Sequence, residues 1–155
     1  MTSHRYLARR PRLGFTMVEL LFVLVIVSVV AAIGLPRFSD WLAYHRVENA
    51  ARVVAGDFEN ALALAGRQST PVRVAYDATD MELRVTDRAT GTVLHRRRLG
   101  GGSEFPVGSA TFTGAPVDVY PSREVSAPIS VTLVAGEHSR RVHMSSAGFI
   151  RIVSS

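Results

Sequence analysis

Cysteine and lysine are both absent from this chain of 155 residues. Without cysteine there can be no disulfides and no cysteine-based metal site, so cysteine usage leaves the redox compartment open. Without lysine, all 18 basic residues are arginine, and the glycine-rich stretch 100–103 lacks the lysine of a phosphate-binding loop. Two common site types are therefore excluded before any motif is considered.

Catalytic patterns are also missing. No serine stands in a Gly-x-Ser-x-Gly motif, and no spacing suggests a pair of catalytic carboxylates. Histidines occur at positions 4, 45, 95, 138 and 143. They are scattered, and the sequence places no third ligand beside any pair of them that would complete a metal site. We predict that the protein is not an enzyme and needs no metal or cofactor.

The sequence pI of about 10.6 would suit a nucleic-acid-binding protein, but the charge is unevenly distributed. Four arginines precede Phe15, whereas no acidic residue does; these are Arg5, Arg9, Arg10 and Arg12. A chain beginning at Phe15 would carry the remaining 14 arginines against 13 acidic residues. Most of the excess positive charge thus belongs to the first 14 residues.

An apolar run extends from Met17 to Leu35, and Glu19 is its one charged residue. At about 1.5 Å per residue, a helix of this length spans the roughly 30 Å hydrocarbon core of a bilayer. The preceding arginines predict a cytoplasmic N-terminus. A plain secretory signal or signal anchor is the alternative, but it leaves the intramembrane carboxylate of Glu19 unexplained.

The junction of the basic leader and the apolar run resembles the class III signal of type IV pilins and type II secretion pseudopilins. That signal is a short basic leader ending in glycine, followed by Phe-Thr-x-x-Glu-Leu-Leu and an apolar helix. Here Gly14, Phe15 and Thr16 fill its first positions, Glu19 supplies the acid, and Leu20 and Leu21 follow.

The resemblance implies a set of roles for these residues. A prepilin peptidase would cut between Gly14 and Phe15 and then methylate the new amine of Phe15. Glu19 would neutralise the N-terminal amine of a neighbouring subunit during filament assembly. Opposite charges attract strongly in a low dielectric, although desolvation offsets much of that gain. The ion pair would therefore fix the register of the subunits more than it would stabilise the filament.

Pro36 follows the apolar run and predicts a kink or an end of the helix. Helical periodicity resumes beyond it, which favours one long kinked helix from about Phe15 to Arg67 over a simple terminus. Charged residues such as Arg46, Glu48, Arg52, Asp57 and Glu59 lie largely off the apolar stripe. The apolar positions recur every three or four residues: Val47, Ala51, Val54, Phe58, Leu62 and Ala65.

Beyond Gly66 the pattern changes to the alternation of β-strands. We predict an α+β fold in which the long helix packs on an antiparallel domain of about seven or eight short strands. One helix covers only one face of a sheet, so the other face needs a second sheet or a partner. The expected strands are 72–76, 81–86, 92–99, 110–113, 117–120, 129–134, 141–144 and 148–153, with a hairpin loop at 135–139.

The join between helix and first strand, from Ala50 to Val74, resembles that of the GspH/FimT-like minor pseudopilins, and so does the C-terminal hairpin followed by a last strand. We accordingly divide the chain into a cleaved leader (1–14), a transmembrane assembly helix (15–36), an amphipathic half-helix (37–68) and a β-rich periplasmic domain (69–155). The protein is expected in the inner membrane and then in a filament.

The run Arg96-Arg97-Arg98 could bind phosphate or an acidic partner, or it could be a solvated strand end. Some family members that serve in DNA uptake carry a C-terminal Gly-Arg-x-Arg motif. Gly148 and Arg151 match it here, but Phe149 replaces the first arginine. That departure and the near-neutral mature charge argue against DNA as a partner.

The resemblance implies a structural subunit of a type II secretion pseudopilus, involved in protein export. A FimT-like minor pilin of a type IV pilus, with DNA binding in natural transformation, is the alternative. The implied partners are other pseudopilins or pilins, the prepilin peptidase, the inner-membrane assembly platform and an exported protein.

Overall fold

The computed structural model describes residues 15–104 and 106–154, apart from the side chains of residues 34–36. One helix is followed by eight strands. They are α1 (Met17–Gln68), β1 (Val72–Asp77), β2 (Glu82–Asp87), β3 (Val93–Arg98), β4 (Ser109–Thr113), β5 (Val117–Val119), β6 (Ile129–Ala135), β7 (His138–Met144) and β8 (Ile150–Ser154). The predicted α+β architecture and its number of strands are confirmed.

The chain divides into two compact units between Arg37 and Phe38, and α1 contributes residues to both. In the first unit the described helical side chains are all exposed. Ser28 donates its hydroxyl hydrogen to the carbonyl of Leu24 at 2.7 Å, so this polar side chain is satisfied within the helix. By length and composition, α1 is the one described helix able to cross a membrane.

The second unit contains two antiparallel sheets. The first has the strand order β3-β2-β1-β5 and the second has the order β4-β6-β7-β8. Between the sheets, Tyr76 of β1 stacks on Phe112 of β4 with ring centroids 3.9 Å apart, and the Tyr76 hydroxyl donates to the carbonyl of Ala110 at 3.1 Å. Burial raises the pKa of Tyr76.

The core of this unit joins the apolar stripe of the helix to both sheets. All six predicted stripe positions from Val47 to Ala65 are buried, because their spacing places them on one face of the helix. The strands contribute alternate residues, such as Ile129, Val131 and Leu133 of β6. The second sheet thus supplies the extra layer that one helix could not.

The hairpin between β6 and β7 is tighter than the sequence suggested. Residues 135–139 were expected to form a loop, but β6 runs through Ala135 and β7 begins at His138. Only Gly136 and Glu137 remain in the turn, and Gly136 adopts a φ of 59°. Two-residue hairpins require such positive values, which glycine takes at little cost.

Gly148 permits a close backbone approach just before β8. Its φ is 76°, and a Cβ at this position would lie 2.5 Å from the carbonyl oxygen of Arg123 and 3.3 Å from Leu62. The conformation and the crowding each exclude a larger side chain. Gly91 has a similar φ of 72°, but a Cβ there would meet no heavy atom within 4 Å.

We expect Gly148→Ala to lower the free energy of unfolding of the β-containing unit by about 3 kcal/mol, because it combines backbone strain with a clash. Gly91→Ala, the matched control, should cost about 1 kcal/mol through strain alone. Thermal unfolding of the detergent-solubilised full chain, followed by near-UV circular dichroism, measures the difference. Equal losses in the two variants would contradict the packing role of Gly148.

Candidate functional site

The start of the helix carries the residues of the assembly signal. Thr16 precedes the first helical residue, and its hydroxyl oxygen accepts a hydrogen bond from the backbone N–H of Glu19 at 3.2 Å. Thr16 and Glu19 have the spacing of a capping box, in which an N-cap threonine is followed three residues later by glutamate. This capping role was missed from the sequence, although the Thr-x-x-Glu spacing could have revealed it.

The carboxylate of Glu19 stands in the first turn of α1, where the helix dipole favours negative charge. Among the described residues, no arginine or histidine forms an ion pair with it. Gly14 and the leader lie outside the described residues, as does the side chain of Pro36. Cleavage, methylation, the role of Glu19 in assembly and the kink therefore stay predictions.

Within the described part of the first unit, the apolar half of the helix is not covered by other residues. Every side chain from Phe15 to Ile33 is exposed, and the large ones are valine, leucine, isoleucine, phenylalanine and methionine. Such a surface is costly in water, at roughly 25 cal/mol per Å² of apolar area. A lipid bilayer or the helices of other subunits are the environments that this segment suits.

The run of three arginines in β3 divides between two faces of the strand. Arg97 points at the helix, where its Nε and a terminal nitrogen donate to the carboxylate of Asp57 at 2.9 and 3.0 Å. His95 lies on the same face and its Nε2 donates to Asp57 at 2.8 Å. The hydrogen bond to Asp57 raises the pKa of Arg97. Arg97 is thus a structural residue rather than a free phosphate ligand.

Asp57 is only 4% exposed, although the sequence placed it off the apolar stripe. The buried face of the helix is wider than the predicted stripe, because Ala50 and Ala61 are also fully buried. Asp57 lies on this side of the helix, and its three hydrogen bonds offset the cost of burying a carboxylate. In the sequence, the recurrence of small residues around Asp57 was the feature that could have indicated its burial.

Arg96 and Arg98 lie on the opposite, exposed face of β3. Arg98 is 3.5 Å from Glu82, while Arg96 is paired in register with Arg84 of β2. Within the described part of the chain, Arg96 forms no ion pair at 4 Å or less. Of the three adjacent arginines, Arg96 is the one best placed to receive an external anion.

Arg151 is separated from these arginines by the topology. It lies in β8, an edge strand of the second sheet, whereas β3 is an edge strand of the first. Arg151 and the exposed Phe149 line a shallow pocket with His143 and Ser145. The four predicted nucleic-acid contacts therefore do not belong to one sheet.

Most other charges of the first sheet are compensated internally. Asp118 of β5 accepts from Arg73 at 2.8 Å and from Arg88 at 2.7 Å, and these bonds, that to Arg73 above all, lower its pKa. Arg84 likewise donates to Glu82 at 2.6 Å and lowers the pKa of Glu82. This face is consequently a network of paired charges rather than a basic patch.

The helix is also tied to the second sheet. Arg140 of β7 donates its Nε hydrogen to Glu48 at 2.8 Å, and this bond lowers the pKa of Glu48.

Among residues 15–104 and 106–154, no group of three or more His, Asp or Glu side chains is arranged to hold a metal ion. The distinguishing features of the described chain are thus the exposed apolar half of α1, its one carboxylate Glu19, and the edge strands β3 and β8 with their exposed arginines.

Comparisons with known proteins fit this description. Residues 9–35 match the family model described as the prokaryotic N-terminal methylation motif. A fimbrial protein of Pseudomonas aeruginosa is 30% identical over 118 residues, which cover 64% of this chain and 76% of that protein.

Two solved structures share the fold. The minor pseudopilin EpsH from the type 2 secretion system of Vibrio cholerae superposes with a TM-score of 0.57 and 16% identity, covering 70% of this chain and 97% of that one. The type IV minor pilin FimU of Pseudomonas aeruginosa gives a TM-score of 0.57 and 14% identity, covering 70% and 89% respectively.

The chain belongs to the type IV pilin-like family, which includes pilins and pseudopilins. Its relatives are structural subunits, and the protein is not an enzyme. Membership implies assembly with other pilins in a filament. The apolar helix and the methylation motif are consistent with a membrane-anchored protein that enters such a filament.

The buried carboxylate of Asp57 allows a direct test of how the helix is held. We expect Asp57→Asn to lower the free energy of unfolding by about 2 kcal/mol, because it leaves Arg97 without its anion. The full cost of breaking a buried pair is reduced here because the Arg97 side chain is 33% exposed. Chemical unfolding of the full chain in detergent measures the change.

Glu59 supplies the matched control two residues further along the helix. It is exposed and its carboxylate lies 3.5 Å from Arg123, so Glu59→Gln should change stability by less than about 0.5 kcal/mol. If both variants unfold at the same denaturant concentration as the parent protein, Asp57 does not fix the helix on the first sheet.

Proposed function

We propose that the protein is a minor pseudopilin, a structural subunit of a type II secretion pseudopilus that serves in protein export. The observation that carries this proposal is an exposed apolar half-helix with one carboxylate, Glu19, in its first turn. A helix of that kind needs lipid before assembly and other helices afterwards. The fold is compatible with a secretion subunit, because this chain covers 97% of EpsH.

The maturation steps follow from the N-terminal residues. The subunit inserts with its arginine-rich leader in the cytoplasm and its β domain in the periplasm. The prepilin peptidase cuts between Gly14 and Phe15 and methylates the amine of Phe15. Thr16 then caps the helix close to the new terminus, so the ordered first turn presents Glu19 at a fixed position.

Assembly places a cation beside Glu19. In the low dielectric of a helical bundle a lone carboxylate is costly, and the amine of a neighbouring Phe15 neutralises it. A subunit displaced along the filament axis would leave both charges unpaired. The pair therefore sets the axial register, while the apolar side chains of the helix supply the packing energy.

The β-containing unit carries the contacts that distinguish one subunit from another. Among the edge strands of its two sheets, β3 and β8 carry mainly exposed or half-buried side chains and are accessible to further proteins. We assign these surfaces to other minor subunits, to the inner-membrane assembly platform or to the exported protein. Such contacts need no catalytic residue.

Pilus assembly is the second candidate, because FimU matches with the same TM-score as EpsH. In this version the protein is a FimT-like minor pilin that captures DNA in natural transformation. The specific observation in its favour is the pocket shared by Phe149 and Arg151, since an exposed aromatic ring beside arginine suits the stacking of nucleic-acid bases.

The role of Glu19 can be separated from its position in a capping box. Glu19→Gln keeps a residue that serves in such a box but removes the charge. We expect this variant to be cleaved after Gly14 normally, yet to enter filaments at least about tenfold less efficiently than the parent protein, because the neighbouring amine stays uncompensated. Immunoblots of sheared filaments and mass spectrometry of the N-terminus report the two steps.

Ser28→Val serves as the control, since it removes the other side-chain hydrogen-bonding group of the exposed helix, one already satisfied by Leu24. This variant should assemble like the parent protein. Normal incorporation of Glu19→Gln would show that the charge does not set register, and loss of cleavage in that variant would place Glu19 in peptidase recognition instead.

For DNA, we expect the full chain to bind duplexes only in the non-specific range of about 10⁻⁴–10⁻⁶ M at physiological salt, because most of its described arginines are paired. Arg151→Ala should then change affinity little, as should Arg123→Ala, which removes another exposed arginine. Fluorescence anisotropy across a salt series measures both. Tighter binding that Arg151→Ala abolishes and Arg123→Ala retains would favour the DNA-capturing pilin.

A further inference from the structure

Four aromatic or imidazole rings form a row on α1 at the start of the second unit. We call this row the aromatic collar and define it as Phe38, Trp41, Tyr44 and His45. The rings of Phe38 and Trp41 are stacked with centroids 6.0 Å apart, Trp41 meets His45 at 4.3 Å, and His45 meets Tyr44 at 5.4 Å. Phe38 is 62% exposed and Trp41 57% exposed.

The outer part of the collar faces away from the domain core. Phe38, Trp41 and His45 are spaced three and four residues apart and share one face of the helix. The buried stripe begins at Val47, nine residues after Phe38, which places it roughly 180° around the helix. Against the described residues, Phe38 and Trp41 therefore stay mostly exposed, and His45 is half-buried.

The inner edge of the collar is held rigidly. The ring of Tyr44 meets the ring of His138 at 5.5 Å, and the guanidinium of Arg140 lies 5.3 Å from the Tyr44 ring centroid. Arg140 also donates to the Tyr44 hydroxyl at 3.3 Å. The row is consequently fixed to the strand β7 rather than being a set of independent surface side chains.

The position of the collar in the sequence identifies what covers it. It begins three residues after Leu35, the last residue of the apolar run. Tryptophan and tyrosine prefer the boundary between hydrocarbon and headgroups, where an apolar ring and a polar tip are both satisfied. Arg37 and Arg46 flank the row and are exposed, and their charges complement lipid phosphates.

We propose that the aromatic collar binds the headgroup region of the bilayer leaflet on the periplasmic side and fixes how deeply the inserted subunit sits. The proposal rests on the membrane anchorage proposed above. A second copy of this chain is a poorer occupant, because a symmetric contact through this face would bring the arginines at positions 37 and 46 of two molecules together. Lipid phosphate carries the complementary charge.

Trp41 is the only tryptophan, so its fluorescence reports on the collar directly. The full chain is reconstituted in vesicles of phosphatidylcholine and phosphatidylglycerol, with bromine on the acyl chains either near the glycerol or near the terminal methyl. We expect the shallow bromines to quench Trp41 at least about twofold more than the deep ones, as an interfacial ring requires. Iodide in the outer solution should quench it weakly.

The double variant W41F/F149W is the matched control, since it moves the tryptophan to another exposed aromatic position. Phe149 is 72% exposed, and its neighbour Gly148 lies against Leu62, 21 residues after Trp41 and roughly 30 Å further along the helix. This variant should be quenched strongly by iodide and hardly by either brominated lipid.

Three results would overturn the proposal. If the chain resists alkaline extraction from vesicles but Trp41 is as open to iodide as the control tryptophan, the collar does not bind lipid, although the membrane anchorage stands. If Trp41 is shielded from both iodide and brominated lipid, protein covers the collar instead. If alkali releases the chain, the membrane anchorage and the collar both fail.

Discussion

The structure depends on a helix whose two halves need different surroundings. Between Val47 and Ala65 an apolar stripe is buried by the β-strands of the same chain, whereas every side chain from Phe15 to Ile33 is exposed. No folded domain could leave that surface in water without cost. Membrane anchorage, assembly with other helices and the significance of Glu19, the one carboxylate of that half, all follow from this constraint.

The second half of the helix is fixed on the strands by polar contacts as well as apolar packing. Asp57 joins it to β3 of the first sheet through Arg97, and Glu48 joins it to β7 of the second through Arg140. A buried ion pair adds little net stability, but it penalises any other placement of the helix. Arginines used in this way are no longer available for phosphate. The excess positive charge of the sequence lies in its first 14 residues, and beyond them 14 arginines face 13 acidic residues.

The sequence predicted the parts of the fold that arise from periodicity. The stripe from Val47 to Ala65 and all eight strands follow from the spacing of apolar residues. Spacing says nothing about which strands pair, so the division into two sheets had to come from the structure. Asp57 was misjudged because charge usually indicates exposure, and its partner Arg97 is 40 residues away. The assembly residues were predicted from a local sequence motif, which can be recognised without knowledge of the fold.

The same fold fits a secretion subunit and a pilus subunit because both must carry a folded domain on an assembling helix. EpsH and FimU match with equal TM-scores of 0.57, so the shared features cannot distinguish their systems. The features that distinguish a secretion subunit from a pilus subunit must therefore lie on the exposed surface of the shared fold. In this chain Phe149, which directly precedes the edge strand β8, is exposed, and so are Ile152 and Val153 on either side of the strand near Arg151. Arg141 of β7 is also exposed and lies opposite Val153. Even with this second cation, an edge with three exposed apolar side chains suits a protein partner better than a polyanion, which favours a role within an assembly over DNA capture.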